Sequence, residues 1–432
     1  MLRKISSMLL DMTYSKFIFC FLLSTTLLCA ESVAYAETTL LMFARLIDGT
    51  GDVLPNREIL VEDGVIVAIG DNLQARYPYA NTIHLDDLVA VPGLIDVHVH
   101  MTYGLRGMPK GDAWAELSDS STSDRLVAAI QNASDTLNAG VTSARDLGDW
   151  DDDVFRLKAL IESNVIQGPR LFISGSGIHP SSLSMAAEGQ KQDLVAELSN
   201  QAHDRIAKGA NWIKIFATTG SADDLTDKQV FFYPEIKAVT DIAHAAGLRV
   251  ALHSYGPSAV LDALRAKVDS IEHPVGLSEE TLDFWAQTDV FYVPTIDHNR
   301  YYADHRDEFG YDKNVESELR AFVKKNVESL RGAHESGVQI AMGSDAVMTM
   351  FGQNTRELEW FVAAGMTPAQ ALRSATLNGA ILIAQDQTLG RLKEGYTADI
   401  VAVEGDPLTD IQAITRRVRW VMKGGMVVVD RD

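Results

Sequence analysis

The sequence predicts an α/β protein in which a TIM-type (β/α)8 barrel is joined to a small β-sandwich built from the N- and C-terminal segments. Strand-like and helix-like stretches alternate about eight times between Leu94 and Ser344. Both ends of the mature chain instead carry short strand-like stretches separated by turns. The length of 432 residues suits a large barrel with an appended module. A doubly wound sheet is the alternative fold.

The N-terminus, residues 1–36, predicts a signal peptide. An apolar run over residues 17–30 follows basic residues, and Ala34 and Ala36 fit the small-residue cleavage rule. Because the run is short for a membrane span, we expect cleavage after Ala36, a periplasmic or secreted protein, and no membrane association afterwards. Cys20 and Cys29 both lie in this segment, so the mature chain has no cysteine for a disulfide or a metal.

The mature chain divides into three predicted segments. Residues 37–90 form the first half of the β-sandwich, residues 91–385 the metal-dependent barrel, and residues 386–432 the second half of the sandwich. Strand-like segments at both ends, such as residues 59–69 and 418–429, most simply pair into one module.

Composition restricts the partners. Apolar residues make up 46% of the chain, which is ample for a sizeable core. The formal net charge of −21 argues against nucleic acid or an anionic membrane surface as partner. The charge says nothing further about the substrate.

The middle of the chain supplies the barrel. Its strand candidates are Leu94–His100, Val141–Leu147, Arg170–Ser174, Trp212–Ala217, Arg249–His253, Ser270–His273, Val290–Thr295 and Val338–Ser344. Amphipathic stretches between them predict helices over Asp124–Ala139, Asp193–Lys208, Pro234–Ala246 and Val315–Ser336. Several of these helices end in a glycine-containing pair, as helix C-termini often do.

The first strand of the barrel ends in His98-Val-His100. Side chains alternate along a strand, so the two histidines point to the same face while Val97 and Val99 point to the other. Two neutral imidazoles side by side at a strand end make half of a metal site.

Further candidate ligands end other strands. Lys214 ends the fourth, His253 the fifth, His273 the sixth, and Asp345 the eighth. Barrels carry their catalytic side chains at the C-terminal ends of their strands. Agreement of all six positions outweighs the alternatives of a surface lysine or a turn aspartate.

This pattern resembles the binuclear branch of the amidohydrolase superfamily that carries a carboxylated lysine. The sequence around the predicted ligands resembles that of the prolidase-like and imidazolonepropionase-like group of this branch. That group includes metallo-carboxypeptidases, dipeptidases and ochratoxin-hydrolysing amidases. The matching text includes Pro92-Gly-Leu-Ile-Asp-Val-His-Val-His, Gly209-Ala-Asn-Trp-Ile-Lys-Ile, Asp269-Ser-Ile-Glu-His, Gly343-Ser-Asp-Ala and Gly395-Tyr-Thr-Ala-Asp-Ile-Val. The similarity covers almost the whole mature chain, and family members often form homo-oligomers, which we expect here too.

The resemblance implies two divalent metal ions, and a histidine-carboxylate site suits zinc. An ordinary lysine is protonated and cannot bind a metal, so carboxylation by CO2 is expected at Lys214. The implied first metal is held by His98, His100, the Lys214 carbamate and Asp345, and the second by the carbamate, His253 and His273. A water between the metals then becomes a hydroxide nucleophile, and Asp345 accepts its proton and passes it to the leaving amine.

The residues that would contact the substrate follow less directly from the sequence. The family usually places a histidine after the third strand, and His179 is the matching position, where it would polarise the substrate carbonyl. Tyr255 matches a family tyrosine that helps hold a substrate carboxylate. His298 and Arg300, beyond the seventh strand, are further candidates for an anionic substrate. Arg145-Asp146 is interpreted as a structural ion pair.

The resemblance therefore implies a metallo-amidohydrolase with a small-molecule substrate, which would release an amino acid with a free carboxylate from dipeptides, N-acyl amino acids or ochratoxin-like amides. A cyclic-amide hydrolase, imidazolonepropionase-like or dihydroorotase-like, is the second hypothesis. Imidazolonepropionase-like enzymes typically use one metal and no carboxylated lysine, so Lys214 counts against that version. A non-catalytic ligand-binding scaffold on the same fold is the third, although such relatives typically lose ligands and none is missing here.

Overall fold

A computed structural model describes residues 38–55, 57–105, 107, 109–179 and 194–431 of the chain. The predicted signal peptide, residues 1–36, and its predicted cleavage after Ala36 lie outside the described residues. Within the described part, no helix is both long and apolar enough to cross a membrane.

The described residues form fifteen strands. In chain order they are β1 (Thr39–Ile47), β2 (Val53–Leu54), β3 (Glu58–Glu62), β4 (Val65–Gly70), β5 (Asn81–Pro92), β6 (Leu94–Val99), β7 (Val141–Asp146), β8 (Arg170–Ile173), β9 (Trp212–Phe216), β10 (Arg249–His253), β11 (Ser270–Glu272), β12 (Phe291–Val293), β13 (Ile400–Val403), β14 (Val418–Lys423) and β15 (Met426–Asp430).

The two ends of the chain build one eight-stranded sheet. Its order is β15-β14-β13-β5-β1-β3-β4, with β2 paired to β1. The N- and C-terminal halves meet where β13 runs antiparallel to β5, with Ala402 opposite Ala90. Apolar side chains from both halves share a core, among them Phe43, Ile59 and Trp420. The predicted pairing of the chain ends is therefore present, as a continuous hydrogen-bonded sheet.

The middle of the chain forms a closed barrel of parallel strands. Each strand position around the barrel is called a stave. Strands β6, β7 and β8 pair in sequence order, and so do β9, β10, β11 and β12. The two groups are joined by the bridge between Ile178 and Ile215, and the ring closes through residues 338–346. The fold class is confirmed.

The eighth stave is less regular than the sequence predicts. The expected strand Val338–Ser344 makes single bridges, from Ile340 to β12 and from Ala346 to β6. The backbone of Val97 on β6 also donates to Met342 at 2.9 Å. Asp345 adopts a φ of +54°, outside the β region, so a regular ladder cannot continue through it. The chain leaves the ladder at the point where it presents Asp345.

Helices follow the staves in the chain, and short helices also lie within the two terminal segments. They are α1 (Leu73–Arg76), α2 (Ala113–Asp119), α3 (Thr122–Asn138), α4 (Asp153–Glu162), α5 (Leu194–Ala207), α6 (Tyr233–Ala245), α7 (Val260–Ala266), α8 (Glu279–Trp285), α9 (Ile296–Asp304), α10 (Lys313–Glu335), α11 (Glu357–Ala363), α12 (Pro368–Ser374), α13 (Leu377–Leu382) and α14 (Gln412–Arg416). The four helices predicted from amphipathic stretches correspond to α3, α5, α6 and α10. The Ser121 hydroxyl caps α3 by accepting from the Asp124 backbone.

Candidate metal centre

A cavity of about 540 Å³ opens at the C-terminal ends of the staves. All six side chains predicted as metal ligands line it, and each is buried: His98, His100, Lys214, His253, His273 and Asp345. They come from five different staves, so no local stretch of sequence contains the site. Parallel strands bring their ends to one face, which is how residues up to 247 positions apart meet here.

Contacts between β6 and the eighth stave fix the positions of His98, His100 and Asp345. The Asp96 carboxylate on β6 accepts from the backbone of His98 at 3.1 Å and from that of Ser344 at 2.9 Å. Gly343 makes the close approach possible, since a Cβ there would lie 2.5 Å from the Val293 side chain. The tie between β6 and the eighth stave thus sets where Asp345 stands.

Asp345 is surrounded by imidazoles. Its Oδ1 lies 3.0 Å from His100 Nε2 and 3.5 Å from His98 Nε2, and its Oδ2 lies 3.4 Å from His298 Nε2. One ligand atom each from His98, His273 and Asp345 lies within 4.8 Å of the others. Burial alone would raise the pKa of Asp345, but the nearby histidines hold it well below its usual range. The carboxylate is therefore ionised at neutral pH.

Buried nitrogen atoms without partners test whether this site suits a metal. His98 Nε2, His253 Nε2 and Lys214 Nζ are buried and make no hydrogen bond within the described residues. Burial lowers the pKa of His253 to about 3, which leaves its ring neutral. Unpaired buried polar atoms are costly, and a neutral imidazole with a free lone pair is the form that binds a metal. The donor set fits a divalent cation.

Partners on the far side of the rings orient two of these histidines. His98 Nδ1 donates to Glu272 Oε2 at 2.8 Å, and His100 Nδ1 donates to the Gly148 carbonyl at 3.0 Å. Since neither oxygen can donate, each Nδ1 carries a hydrogen, and Nε2 of both rings is turned toward the cavity. Metal-binding histidines are commonly held in this way.

Glu272 is in turn paired with a buried arginine. The Arg145 guanidinium donates to Glu272 Oε1 at 3.0 Å and to the Ser270 hydroxyl at 2.9 Å, and both charged groups are fully buried. The interpretation of Arg145-Asp146 as an ion pair is wrong. Side chains alternate along β7, so Asp146 points the other way, where it accepts from the Met101 backbone at 2.7 Å.

The two predicted substrate contacts also line the cavity. The His179 ring stacks on Phe216 at 3.9 Å although the residue is partly exposed, and desolvation together with the nearby Lys214 charge lowers the pKa of His179 to about 4, so this ring is neutral. The Tyr255 hydroxyl accepts from the Asn299 amide at 2.7 Å. Burial raises the pKa of Tyr255, so its own proton remains available to donate.

The other two predicted substrate contacts, His298 and Arg300, differ in their position relative to the cavity. His298 lines the cavity and donates from Nδ1 to the Asp345 carbonyl at 2.7 Å. Arg300 does not line it, because its guanidinium is bound to Asp297 at 2.6 Å and Asp304 at 2.8 Å on α9. A helical spacing of three and four residues from two aspartates is the sequence signal that could have shown this.

Sequence reasoning missed a second set of lining residues. They are mostly aromatic or belong to the segment after β9: Tyr103, Trp114, Phe216, Thr218, Thr219, Gly220, Ser221, Ala222, Asp224, Tyr302 and Val347. Most follow strand ends at varied distances, and no spacing rule distinguishes them from core or surface residues. Glu272, which orients His98, could have been found because it directly precedes His273 on β11.

Comparison with known proteins identifies a matching family and similar proteins. Residues 89–428 match the model described as the Amidohydrolase family. Ochratoxinase of Aspergillus niger is 27% identical over 441 residues, covering 92% of this chain and 88% of the relative. Imidazolonepropionase of Kosmotoga olearia is 24% identical over 405 residues, covering 86% and 91%. The crystal structure of a Xaa-Pro dipeptidase with bound methionine in the active site superposes with a TM-score of 0.79 at 28% identity, covering 90% of this chain and 99% of that one.

Proposed function

This chain belongs to the amidohydrolase family and is a hydrolase, and we propose that it releases an amino acid with a free carboxylate from an amide or dipeptide in a reaction that depends on two divalent metal ions. The observation that carries this proposal is the set of three unpaired buried nitrogens, His98 Nε2, His253 Nε2 and Lys214 Nζ, in a cavity that also holds Asp345. The similarity to ochratoxinase and to a dipeptidase with a bound amino acid supports amide chemistry.

Lys214 is the residue that would let the site hold a second cation. Burial lowers the pKa of this lysine to about 8, so a substantial fraction of the amine is neutral near that pH. A neutral amine adds to CO2 to give a carbamate and a released proton, which replaces a potential cation with an anion. The carbamate oxygens would join His98, His100 and Asp345 on one side and His253 and His273 on the other.

Divalent cations bound there would supply Lewis-acid polarisation of a carbonyl oxygen and a water of lowered pKa, and zinc suits these donors. The chain's own groups do the rest. Asp345 is ionised, so it can accept a proton from the attacking water and donate it to the departing amine. His298 keeps the aspartate in place through its contacts with the carbonyl and Oδ2.

His179 and Tyr255 would orient the substrate. A neutral His179 ring, held against Phe216, can donate one hydrogen bond to the scissile carbonyl. The Tyr255 hydroxyl already accepts from Asn299, so its proton points to another acceptor, for which a substrate carboxylate is suited.

Hydrolysis of a cyclic amide is the second candidate, favoured by the similarity to imidazolonepropionase. The two candidates differ at Lys214. A ring-opening enzyme with one metal has no need for a buried, unpaired lysine amine in the cavity, whereas a binuclear amidase does.

The test uses mature protein purified without chelator and supplied with zinc and bicarbonate. Amino acid released from dipeptides, N-acyl amino acids and ochratoxin-like amides is measured for the wild type and for Lys214→Ala. Release that disappears in the variant supports the proposal. Opening of cyclic amides with no amino acid released would replace it with the second candidate.

A further inference from the structure

One side of the cavity is an aromatic wall formed by Tyr103, Trp114 and Tyr302. The Tyr103 ring stacks on His100 with centroids 4.8 Å apart, and Trp114 lies 6.0 Å from Tyr103 and 6.4 Å from Tyr302. The Tyr302 ring then meets His298 edge-on at 4.5 Å. The ring contacts of the wall are therefore continuous from His100 to His298, two of the histidines beside Asp345.

The wall is held from behind by further aromatic residues. The Trp114 indole donates to the Tyr311 hydroxyl at 3.1 Å, which fixes the angle of the ring. Phe309 packs against Tyr302 at 4.7 Å, and Trp150 packs against Tyr103 at 6.0 Å. Aromatic rings packed edge to face in this way lose little freedom when a ligand binds, so the surface is preformed.

The surface of the wall is uncharged. Its three rings are continued by the buried, apolar Val347, and none of these side chains carries a charge. Among the described residues the hydroxyls of Tyr103 and Tyr302 receive no hydrogen bond and give none, and Tyr302 is only 1% exposed. Such a surface suits a flat apolar group with a hydrogen-bond acceptor at its edge.

The opposite side of the cavity is different. There, ring contacts run from His179 through Phe216 and His253 to Tyr255. That side contains the proposed contacts for the carbonyl and for the carboxylate of the amine half. The two halves of an amide leave the scissile bond in opposite directions, so the acyl half faces the Tyr103–Trp114–Tyr302 wall.

We propose that this wall is the acyl subsite and that it selects amides whose acyl group is a large planar or aryl group. The inference rests on the proposed function, because it assumes that the amine half lies toward Tyr255. The cavity volume of about 540 Å³ lies in the range that accommodates drug-sized ligands, so an aryl group and an amino acid fit together.

Turnover is tested with N-acetyl, N-benzoyl and N-(2-naphthoyl) derivatives of one amino acid. We expect kcat/KM to rise from acetyl to naphthoyl by about 10- to 100-fold in the wild type, because the added apolar area is buried. Trp114→Leu should lose most of this ratio while still hydrolysing the acetyl substrate. Trp114→Phe should keep it.

Trp360→Leu is the matched control. Trp360 is also half-buried and donates its indole hydrogen, to Asp297 at 2.9 Å, but it does not line the cavity. Its substitution should leave the acyl ratio unchanged. An equal loss of the ratio in both leucine variants, or a ratio near one in the wild type, would overturn the proposal.

Binding of free acids separates this inference from the proposed function. Acetate, benzoate and 2-naphthoate are titrated calorimetrically into metal-loaded protein, with circular dichroism and metal content confirming that each variant is folded and loaded. Tighter binding of 2-naphthoate by about tenfold or more, lost in Trp114→Leu, supports the subsite even if no amide is hydrolysed. Equal affinity for acetate and 2-naphthoate would refute it even if amides are hydrolysed.

Discussion

The base of the cavity and its aromatic wall are held in place by different forces. At the base, charged and polar groups are locked by directional contacts: Arg145 binds Glu272, Glu272 binds His98, and Asp345 sits among imidazoles. At the wall, Tyr103, Trp114 and Tyr302 are held mainly by packing of uncharged rings. Loss of one partner in a buried charged pair leaves an uncompensated charge, whereas loss of one ring edge leaves only weaker contacts. Substitutions at the base should therefore cost much more than substitutions at the wall.

The largest effect is expected at Lys214. Replacing it with alanine removes the amine whose carboxylation we propose, so the proposed bridging anion cannot form. We expect kcat/KM to fall by about a thousandfold or more and metal content to fall below that of the wild type. Metal is measured by plasma mass spectrometry after gel filtration, and Lys208→Ala, a half-exposed lysine on the protein surface, is the control. Full metal content together with full activity in Lys214→Ala would show that this lysine is not a ligand.

The next effect tests the layer behind His98. In Glu272→Gln the fully buried Arg145 loses its partner charge, and one of the two oxygens that accept from Arg145 and from His98 Nδ1 is replaced by an amide NH2 that cannot accept. We expect unfolding free energy to drop by about 3–5 kcal/mol and metal affinity to weaken by about 10- to 100-fold. Urea denaturation and competition with a chromogenic chelator measure the two quantities.

A surface pair serves as the reference for Glu272→Gln. Lys237 and Asp241 form an exposed i,i+4 pair on α6, and Asp241→Asn should cost less than about 1 kcal/mol. If Glu272→Gln cost no more than this surface change, the buried pair would not be what holds the base together.

A pH-dependent effect concerns Asp149, which lies close behind the base. Burial raises its pKa from 3.8 to about 8, although it accepts from the Thr102 hydroxyl at 2.7 Å and from the Val154 backbone at 3.0 Å. A pKa raised by folding means that the folded state binds the proton more tightly than the unfolded state. The stabilisation is complete below pH 4 and is lost as pH rises toward 8.

Asp149→Asn removes this proton linkage. Relative to the variant, the wild type should lose up to about 1.4 kcal/mol of unfolding free energy per pH unit between pH 5 and 8. Denaturation of both proteins at several pH values measures the difference. A gap that does not change with pH would mean that Asp149 titrates at an ordinary pKa in the folded protein.

The same contrast explains what could be predicted from the sequence. Predicted ligands such as His98 and His253 lie on the regular strands β6 and β10, so period-two alternation and strand order are enough to bring them together. Trp114 and Tyr302 lie on α2 and α9, beyond loops whose course depends on packing rather than on periodicity. The partner of Arg145 was missed for a related reason, since adjacent residues on a strand face opposite ways and the true partner lies on another strand.

The smallest effect compares two buried tyrosines. The Tyr292 hydroxyl lies 3.1 Å from the Pro274 carbonyl and 3.2 Å from Asn326 Oδ1, whereas the Tyr302 hydroxyl has no hydrogen bond within the described residues. Tyr292→Phe leaves buried acceptors without a donor and should cost about 1–3 kcal/mol of unfolding free energy. Tyr302→Phe removes an oxygen that stabilises nothing in the free protein, so its effect should stay within about 0.5 kcal/mol. Thermal and urea denaturation of the two variants side by side give the comparison. A loss at Tyr302 as large as that at Tyr292 would mean that the Tyr302 hydroxyl is also held by a hydrogen bond, and the contrast between the two tyrosines would fail.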